Sequence, residues 1–178
     1  MKILVLTGSP RKQGTTARLA EEFIRGAREA GHEVLRMDAA QLKVGGCLAC
    51  RACRSNGGAC VQKDDMYQVY PHLVEADGVV LVTPLYYYAV TGQLKTLMDR
   101  FFAVSPVLRK RDVKLATLAA CEDDAPNAMD SLRCHHEAVV DLFGWEDKGM
   151  VLALDALGPE DLDGREELVQ AYELGKNF

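Results

Sequence analysis

Strand-like runs alternate with helical stripes along the whole chain, and this alternation restricts the fold more than any other feature. The sequence predicts five strands, at Lys2–Leu6, Glu33–Asp38, Gly78–Thr83, Val113–Ala119 and Lys148–Leu154. Helical periodicity predicts helices at Thr16–Ala30, from Asp64 to Val74, and at Gly92–Phe102, Ala125–Phe143 and Arg165–Lys176. Such alternation favours a parallel sheet with helices on both faces. We therefore predict a doubly wound α/β fold with three layers.

The bulk properties predict one soluble domain over residues 1–178. The net charge of -5 repels phosphate backbones and argues against nucleic acid as a partner. No apolar run approaches the roughly 20 residues that span a bilayer, and Met1–Leu6 is too short for the apolar part of a signal peptide. We therefore expect a cytoplasmic protein with no membrane partner, in which thiols stay reduced.

The segment Thr7–Thr16 (TGSPRKQGTT) joins the first strand to the first helix and has the composition of an anion site. Amide groups and the dipole at a helix N-terminus favour an anion. The hydroxyls of Ser9, Thr15 and Thr16 and the guanidinium of Arg11 add donors. The glycine spacing departs from both the P-loop and the G-x-G-x-x-G fingerprint. The segment is therefore interpreted as a hydroxyl-rich phosphate-binding loop. The alternative interpretation is that its Ser and Thr residues only cap the helix.

Three loops are expected to meet at the carboxyl edge of the sheet, where doubly wound folds bind ligands. They are Gly8–Thr16, Pro84–Thr91 and Ala120–Ala125. The second contains three consecutive tyrosines, Tyr86 to Tyr88. These side chains suit a flat aromatic ligand, and they equally suit packing onto a partner subunit or over the sheet end.

Two of these loops, taken together, resemble a known family. Ser9–Thr16 (SPRKQGTT) resembles the FMN-phosphate loop of the NAD(P)H-dependent FMN reductases of the flavodoxin-like superfamily. Pro84–Tyr87 (PLYY), followed by Gly92–Lys95 (GQLK) and Asp99-Arg100, is similar to that family's flavin-ring loop and the helix after it. The resemblance implies a flavodoxin-like sandwich with a five-stranded parallel sheet in the order 2-1-3-4-5.

The same resemblance implies a cofactor and the residues that hold it. FMN would be bound noncovalently, with its phosphate on Ser9, Arg11, Gly14, Thr15 and Thr16, and its ring on Pro84, Leu85, Tyr86 and Tyr87, with Cys121 approaching from the loop after the fourth strand. NAD(P)H would deliver hydride, and the flavin would pass electrons to a quinone, another flavin or a different acceptor, without a catalytic side chain. The family also implies a homodimer or homotetramer.

The segment 45–60 (GGCLACRACRSNGGAC) holds four of the six cysteines, Cys47, Cys50, Cys53 and Cys60. Two adjacent C-x2-C steps and a later fourth cysteine suit a 4Fe–4S cluster. A redox-active thiol loop, a structural zinc site and a disulfide are the alternatives.

The cysteine layout resembles that of the iron–sulfur flavoproteins of the same superfamily. It implies a second function, an electron carrier with a 4Fe–4S cluster beside FMN. A protein that senses redox state or metal through this loop is a third hypothesis, from a different functional class.

Overall fold

Five parallel strands form one sheet in the order β2-β1-β3-β4-β5 in the computed structural model, which describes residues 1–178. The strands are β1 (Lys2–Thr7), β2 (Glu33–Asp38), β3 (Gly78–Pro84), β4 (Lys114–Ala120) and β5 (Glu146–Ala153). The helices are α1 (Thr15–Glu29), α2 (Met66–Glu75), α3 (Gly92–Asp99), α4 (Ser105–Leu108), α5 (Asp130–Phe143) and α6 (Glu166–Lys176). The strand order and the parallel pairing confirm the predicted flavodoxin-like fold.

Alternate side chains of each central strand enter two separate cores, because successive residues of a strand point to opposite faces. Leu4 and Leu6 of β1 belong to one apolar cluster, which α2, α3 and α5 cover. Ile3 and Val5 belong to the other, which α1 and α6 cover. Both faces of β1 are therefore buried, which explains its continuous apolar sequence. No helix is long and apolar enough to cross a bilayer.

Helices α1 and α6 approach each other so closely that their backbones touch. A Cβ atom added to Gly26 would lie 2.1 Å from the carbonyl oxygen of Tyr172, and one added to Gly175 would lie 2.0 Å from that of Phe23. The ring of Phe23 meets that of Phe178 edge to face at 5.3 Å. Glycine is thus required on both helices for this contact, since any side chain would separate them.

The boundaries of two helices differ from those predicted by three residues or more, and the short helix α4 was not predicted. Helix α5 begins at Asp130 rather than Ala125, because the Asp123 carboxylate accepts the backbone N–H of Ala125 at 2.9 Å and turns the chain first. Helix α3 ends at Asp99, and a short 3-10 turn over Arg100–Ala103 follows. Both differences lie in segments that surround the cavities described below.

Candidate functional site

A cavity of about 220 Å³ opens at the carboxyl edge of the sheet. Every residue predicted to bind FMN, with the exception of Tyr87, lines it: Ser9, Arg11, Gly14, Thr15, Thr16, Pro84, Leu85, Tyr86 and Cys121. The loops after β1, β3 and β4 contribute these residues, as parallel topology requires. The structure therefore brings together three segments, of which the first and the last are separated by more than half of the chain.

One end of this cavity has the features of an anion site. Helix α1 begins there without a side-chain cap and without an acidic residue in its first turn, so its dipole and amides are available to an anion. A Cβ atom on Gly14 would lie 3.2 Å from Cβ of Arg11 and 3.6 Å from Oγ of Ser9. Glycine thus leaves room for a group between these side chains, as the phosphate of FMN requires.

The hydroxyl groups at this end already have partners within the protein. The Ser9 hydroxyl accepts the backbone N–H of Arg11 at 3.2 Å, and Thr15 donates its hydroxyl to the Leu157 carbonyl at 3.1 Å. Ser9 retains its hydroxyl proton for an anion, whereas Thr15 has used its own. Thr15 therefore contributes to the cradle through its position at the helix start more than through its hydroxyl.

A buried threonine that the sequence analysis did not single out joins the two principal loops. Thr91 donates its hydroxyl to the carbonyl of Gly8 at 2.9 Å and accepts the N–H of Leu94 at 3.3 Å, which caps α3. Its own N–H reaches the Thr83 hydroxyl at 3.0 Å. A threonine directly before Gly92 at a helix start was the sequence signal for this cap. The bond to Gly8 fixes the loop after β1 relative to the loop after β3.

Tyr87 lies outside the cavity because the turn after Leu85 directs it outward. Tyr87 and Tyr88 have φ angles of 48° and 60°, the left-handed region that residues with side chains seldom adopt. Tyr87 is fully exposed. Both tyrosines line an adjoining open groove of about 390 Å³ together with Leu85 and Cys121. The groove continues the cavity outward, since Leu85 and Cys121 line both.

Cys121 is a buried thiol at the boundary between cavity and groove. It donates its S–H to the carbonyl of Asp123 at 3.2 Å. Burial raises the pKa of Cys121 above its ordinary value, despite the opposing effect of that hydrogen bond. The thiol therefore stays protonated at neutral pH and is suited to contact rather than to nucleophilic attack.

The loop after β5 supplies two lining residues that the sequence analysis missed, Ala156 and Leu157. The signal was available: the carboxyl end of β5 lies at the same edge as those of β1, β3 and β4. The N–H of Ala156 bonds to the Cys121 carbonyl at 2.8 Å. The loop after β5 is thus held against the loop after β4 and contributes to the cavity wall.

All four clustered cysteines, Cys47, Cys50, Cys53 and Cys60, line a second, much smaller cavity of about 30 Å³. Apolar side chains surround it, among them Leu48, Val61 and Phe102. It shares no residue with the first cavity. Four thiols in one largely apolar recess are the donor set of a 4Fe–4S cluster.

No three His, Cys, Asp or Glu side chains converge on a point where a single metal ion could bind. This arrangement does not match a tetrahedral zinc site, in which four ligands meet one ion. A cubic cluster differs because each thiolate binds its own iron atom, so its ligands lie farther apart.

The backbone around Cys50 is strained. Ala49 and Arg51 have φ angles of 52° and 58°, although neither is glycine. Each left-handed residue of this kind costs on the order of 1 kcal/mol, and such residues concentrate at ligand sites. The strain bends the chain sharply on both sides of one thiol.

The guanidinium of Arg100 holds both ends of the cysteine loop, although the side chain is only 2% exposed. Its Nη1 donates to the carbonyl of Gly45 at 2.7 Å and to the Asp64 carboxylate at 2.6 Å. Its Nη2 donates to Sγ of Cys60 at 3.3 Å. Periodicity placed Arg100 in a helix and gave no signal of this burial.

Burial and pairing oppose each other in this cluster of charges. Burial disfavours the ionised forms of both Arg100 and Asp64, but their mutual hydrogen bond and attraction reverse the sign. The pKa of Arg100 is raised and that of Asp64 is lowered from the ordinary values. Burial likewise raises the pKa of the neighbouring Tyr70 to about 12. At neutral pH the recess therefore holds a complete ion pair and a neutral phenol.

Comparison with known proteins places the sequence in a family. The model of the NADPH-dependent FMN reductases matches residues 1–142. The chain belongs to this family. The match covers β1 through α5 and thus includes the three lining loops first predicted and the cysteine segment.

Among curated relatives, this FMN reductase family member is similar to proteins named iron–sulfur flavoproteins. It is 43% identical over 106 residues to one from Methanocaldococcus jannaschii, covering 58% of this chain and 52% of that protein. It is 35% identical over 115 residues to one from Methanosarcina thermophila, covering 65% and 58% respectively. The chain spans about half the length of the curated relatives it matches.

Solved structures share the fold at low sequence identity. An NAD(P)H:quinone oxidoreductase from Methanothermobacter marburgensis superposes with a TM-score of 0.76 at 19% identity, covering 99% of this chain and 96% of that one. An azoreductase from Bacillus anthracis superposes with a TM-score of 0.73 at 17% identity over the whole of both chains. These likenesses establish the flavodoxin-like architecture.

Proposed function

We propose that this family member is an FMN-dependent NAD(P)H oxidoreductase that passes electrons to a small acceptor such as a quinone or a flavin. The observation that carries the proposal is the convergence of the phosphate-type loop after β1 and the loops after β3 and β4 on one cavity. Quinone oxidoreductase and azoreductase names among the structural neighbours agree with a small-molecule acceptor.

The residues of the cavity have separate roles in this proposal. The start of α1, with Ser9, Arg11, Gly14, Thr15 and Thr16, holds the phosphate by donated hydrogen bonds and positive charge. Bound FMN supplies the redox chemistry, accepting hydride from NAD(P)H and releasing electrons to the acceptor. Pro84, Leu85, Tyr86 and Cys121 orient the ring and exclude water from its buried side.

Tyr87 has a different role in this proposal from that of the cavity residues. The open groove beside Tyr87 gives a second flat molecule access to the ring. We therefore assign Tyr87 to the nicotinamide or the acceptor rather than to FMN itself.

The phosphate assignment is tested by removing two donors together. We expect the Ser9→Ala/Arg11→Ala variant to weaken FMN binding at least tenfold, because a charge-assisted contact contributes about 1.5–3 kcal/mol. Flavin fluorescence titration of the apoprotein measures the dissociation constant. Lys12→Ala is the matched control, since Lys12 is a neighbouring exposed cation that does not line the cavity. Unchanged binding in the double variant would refute the assignment.

A specific observation favours the second candidate, an iron–sulfur flavoprotein that carries electrons. All four clustered thiols share one recess, and the curated relatives are named for such a cluster. Cys47, Cys50, Cys53 and Cys60 would each bind one iron. In this second candidate, another redox protein donates or accepts the electrons that a small molecule exchanges with the flavin in the first candidate.

The cluster is tested by its iron content and by one cysteine change. We expect anaerobically purified protein to contain about four irons and four sulfides per chain, and Cys50→Ser to lose most of both. Cys134→Ser is the control, because Cys134 is exposed on α5, away from the recess. Full iron content in Cys50→Ser would exclude Cys50 as a ligand. If the wild-type protein contains flavin but no iron, the FMN-dependent oxidoreductase remains and the iron–sulfur candidate is excluded.

We further propose a cytoplasmic homodimer or homotetramer with no nucleic-acid partner. The acidic composition and the exposed pair Tyr87 and Tyr88 support these assignments. Light scattering at several protein concentrations measures the oligomeric state.

A further inference from the structure

Arg100 is the most deeply buried charged group of the chain, with 2% of the residue exposed. It lines the cysteine recess and bonds to Gly45 at one end of the loop and to Cys60 at the other. A single side chain thus closes the segment 45–60 on itself. Hydrogen bonds from Gln62 to Gly46 and from Gly45 to Asp64 also hold the base of the loop, so the loop does not depend on Arg100 alone.

One nitrogen of this side chain has no partner. Nε of Arg100 is the only buried side-chain nitrogen or oxygen of the chain without a hydrogen bond. Most such groups in folded proteins are satisfied, and an orphaned donor costs about 1–3 kcal/mol. The hydrogen-bonding capacity of this buried guanidinium is therefore not fully used within the chain, and Nη2 is its atom in contact with a clustered thiol.

The negative charge of Asp64 balances the positive charge of Arg100, so the pair leaves no net positive charge to balance the cysteine thiolates. Its two carboxylate oxygens accept from Nη1 at 2.6 Å and from Nη2 at 3.2 Å. They also accept the N–H groups of Gly45 and Met66. The pair is therefore neutral overall, with the guanidinium oriented so that Nη2 faces Cys60.

We propose that Arg100 is a positioning residue that raises the reduction potential of a cluster bound by Cys47, Cys50, Cys53 and Cys60, with Asp64 opposing it. The proposal rests on the iron–sulfur form of the proposed function. Reduction adds one electron and one negative charge to the cluster, and no bond to the protein forms or breaks. Reduced flavin supplies that electron in the protein, and dithionite supplies it in the experiment. A donated hydrogen bond and a nearby positive charge stabilise the reduced form.

Two substitutions at this pair have opposite expected effects. Arg100→Gln removes the positive charge, so we expect at least a tenfold lower ratio of reduced to oxidised cluster at a fixed potential. That ratio corresponds to a downward shift of about 59 mV for a one-electron couple. Asp64→Asn keeps a hydrogen-bonding side chain but removes the opposing negative charge, so the ratio is expected to rise. Simple loosening of the loop would not give shifts of opposite sign.

The measurement is an anaerobic redox titration of the holoprotein followed by electron paramagnetic resonance, with iron and FMN assayed in each sample. Lys63→Gln is the control, because it removes one positive charge from an exposed position just after the same loop, where solvent screens it. We expect less than a threefold change there. FMN content reports folding, since the two cavities share no residue.

The outcomes separate this proposal from the one on which it rests. Wild-type protein without iron overturns both. If the variants contain the cluster and their reduction potentials match that of the wild type, the proposed role of Arg100 is overturned, whereas the proposal that a cluster binds here stands. If Arg100→Gln does not fold, Asp64→Asn and Arg100→Lys decide the question. The reduction potential must rise in Asp64→Asn. In Arg100→Lys, which keeps the charge, it must fall by less than the 59 mV expected for loss of the charge. A downward shift in Asp64→Asn overturns the proposal.

Discussion

Alanine at position 8 is expected to disrupt the flavin cavity although it adds only one carbon atom. Its Cβ would lie 2.3 Å from Oγ1 of Thr91 and 2.9 Å from Cβ of Leu94. Thr91 is fully buried, and its hydroxyl already bonds to Gly8 and Leu94, so it has no free space to move. The loop after β1 must therefore separate from the loop after β3.

We expect Gly8→Ala to lower the free energy of unfolding by about 1–3 kcal/mol, as overpacking does, and to weaken FMN binding at least tenfold. Urea unfolding and flavin titration measure the two effects. Gly92→Ala is the matched control, because the same added carbon at the start of α3 meets nothing within 4 Å. Wild-type FMN affinity in Gly8→Ala would show that the junction at Thr91 does not support the cavity.

Gly175→Ala tests the direct backbone contact between α1 and α6. Helix propensity alone predicts that alanine stabilises α6 by about 1 kcal/mol relative to glycine. The structure predicts the opposite sign, because the new Cβ would lie 2.0 Å from the Phe23 oxygen and 3.0 Å from the Ala27 nitrogen. Backbone atoms inside a helix cannot rotate away as a side chain can.

The expected net result is a loss of about 2 kcal/mol or more, since overpacking costs up to about 3 kcal/mol or beyond. In a domain of this size each kcal/mol lowers Tm by about 2–4 °C, so a fall of at least roughly 4 °C is expected by calorimetry. Gly26→Ala should act alike, because its Cβ would meet the Tyr172 oxygen. A higher Tm in Gly175→Ala would mean that the helices are farther apart than described.

The sheet and the flavin loops were predictable because both depend on local sequence. Buried strands such as β1 and β3 have continuous apolar sequences, and parallel topology then places the loops that follow them at one edge. The donors of the proposed anion site could be identified for the same reason, since they lie within the single segment Ser9–Thr16.

The features that the sequence did not reveal depend on contacts between distant residues. Arg100 and Asp64 are 36 positions apart, and no periodicity indicates that an arginine is buried beside an aspartate. The direction of Tyr87 depends on a left-handed backbone that residue type alone disfavours. Helix α5 was predicted to begin too early because the turn signals of Asp123, Pro126 and Asn127 were not weighed against the apolar pattern that follows them.

The separation of the two cavities has an evolutionary consequence. Because no side chain serves both, a descendant of this protein can lose every cysteine of the segment 45–60 and retain the complete lining of the flavin pocket. The converse also holds, so substitutions in either lining leave the residues of the other unchanged.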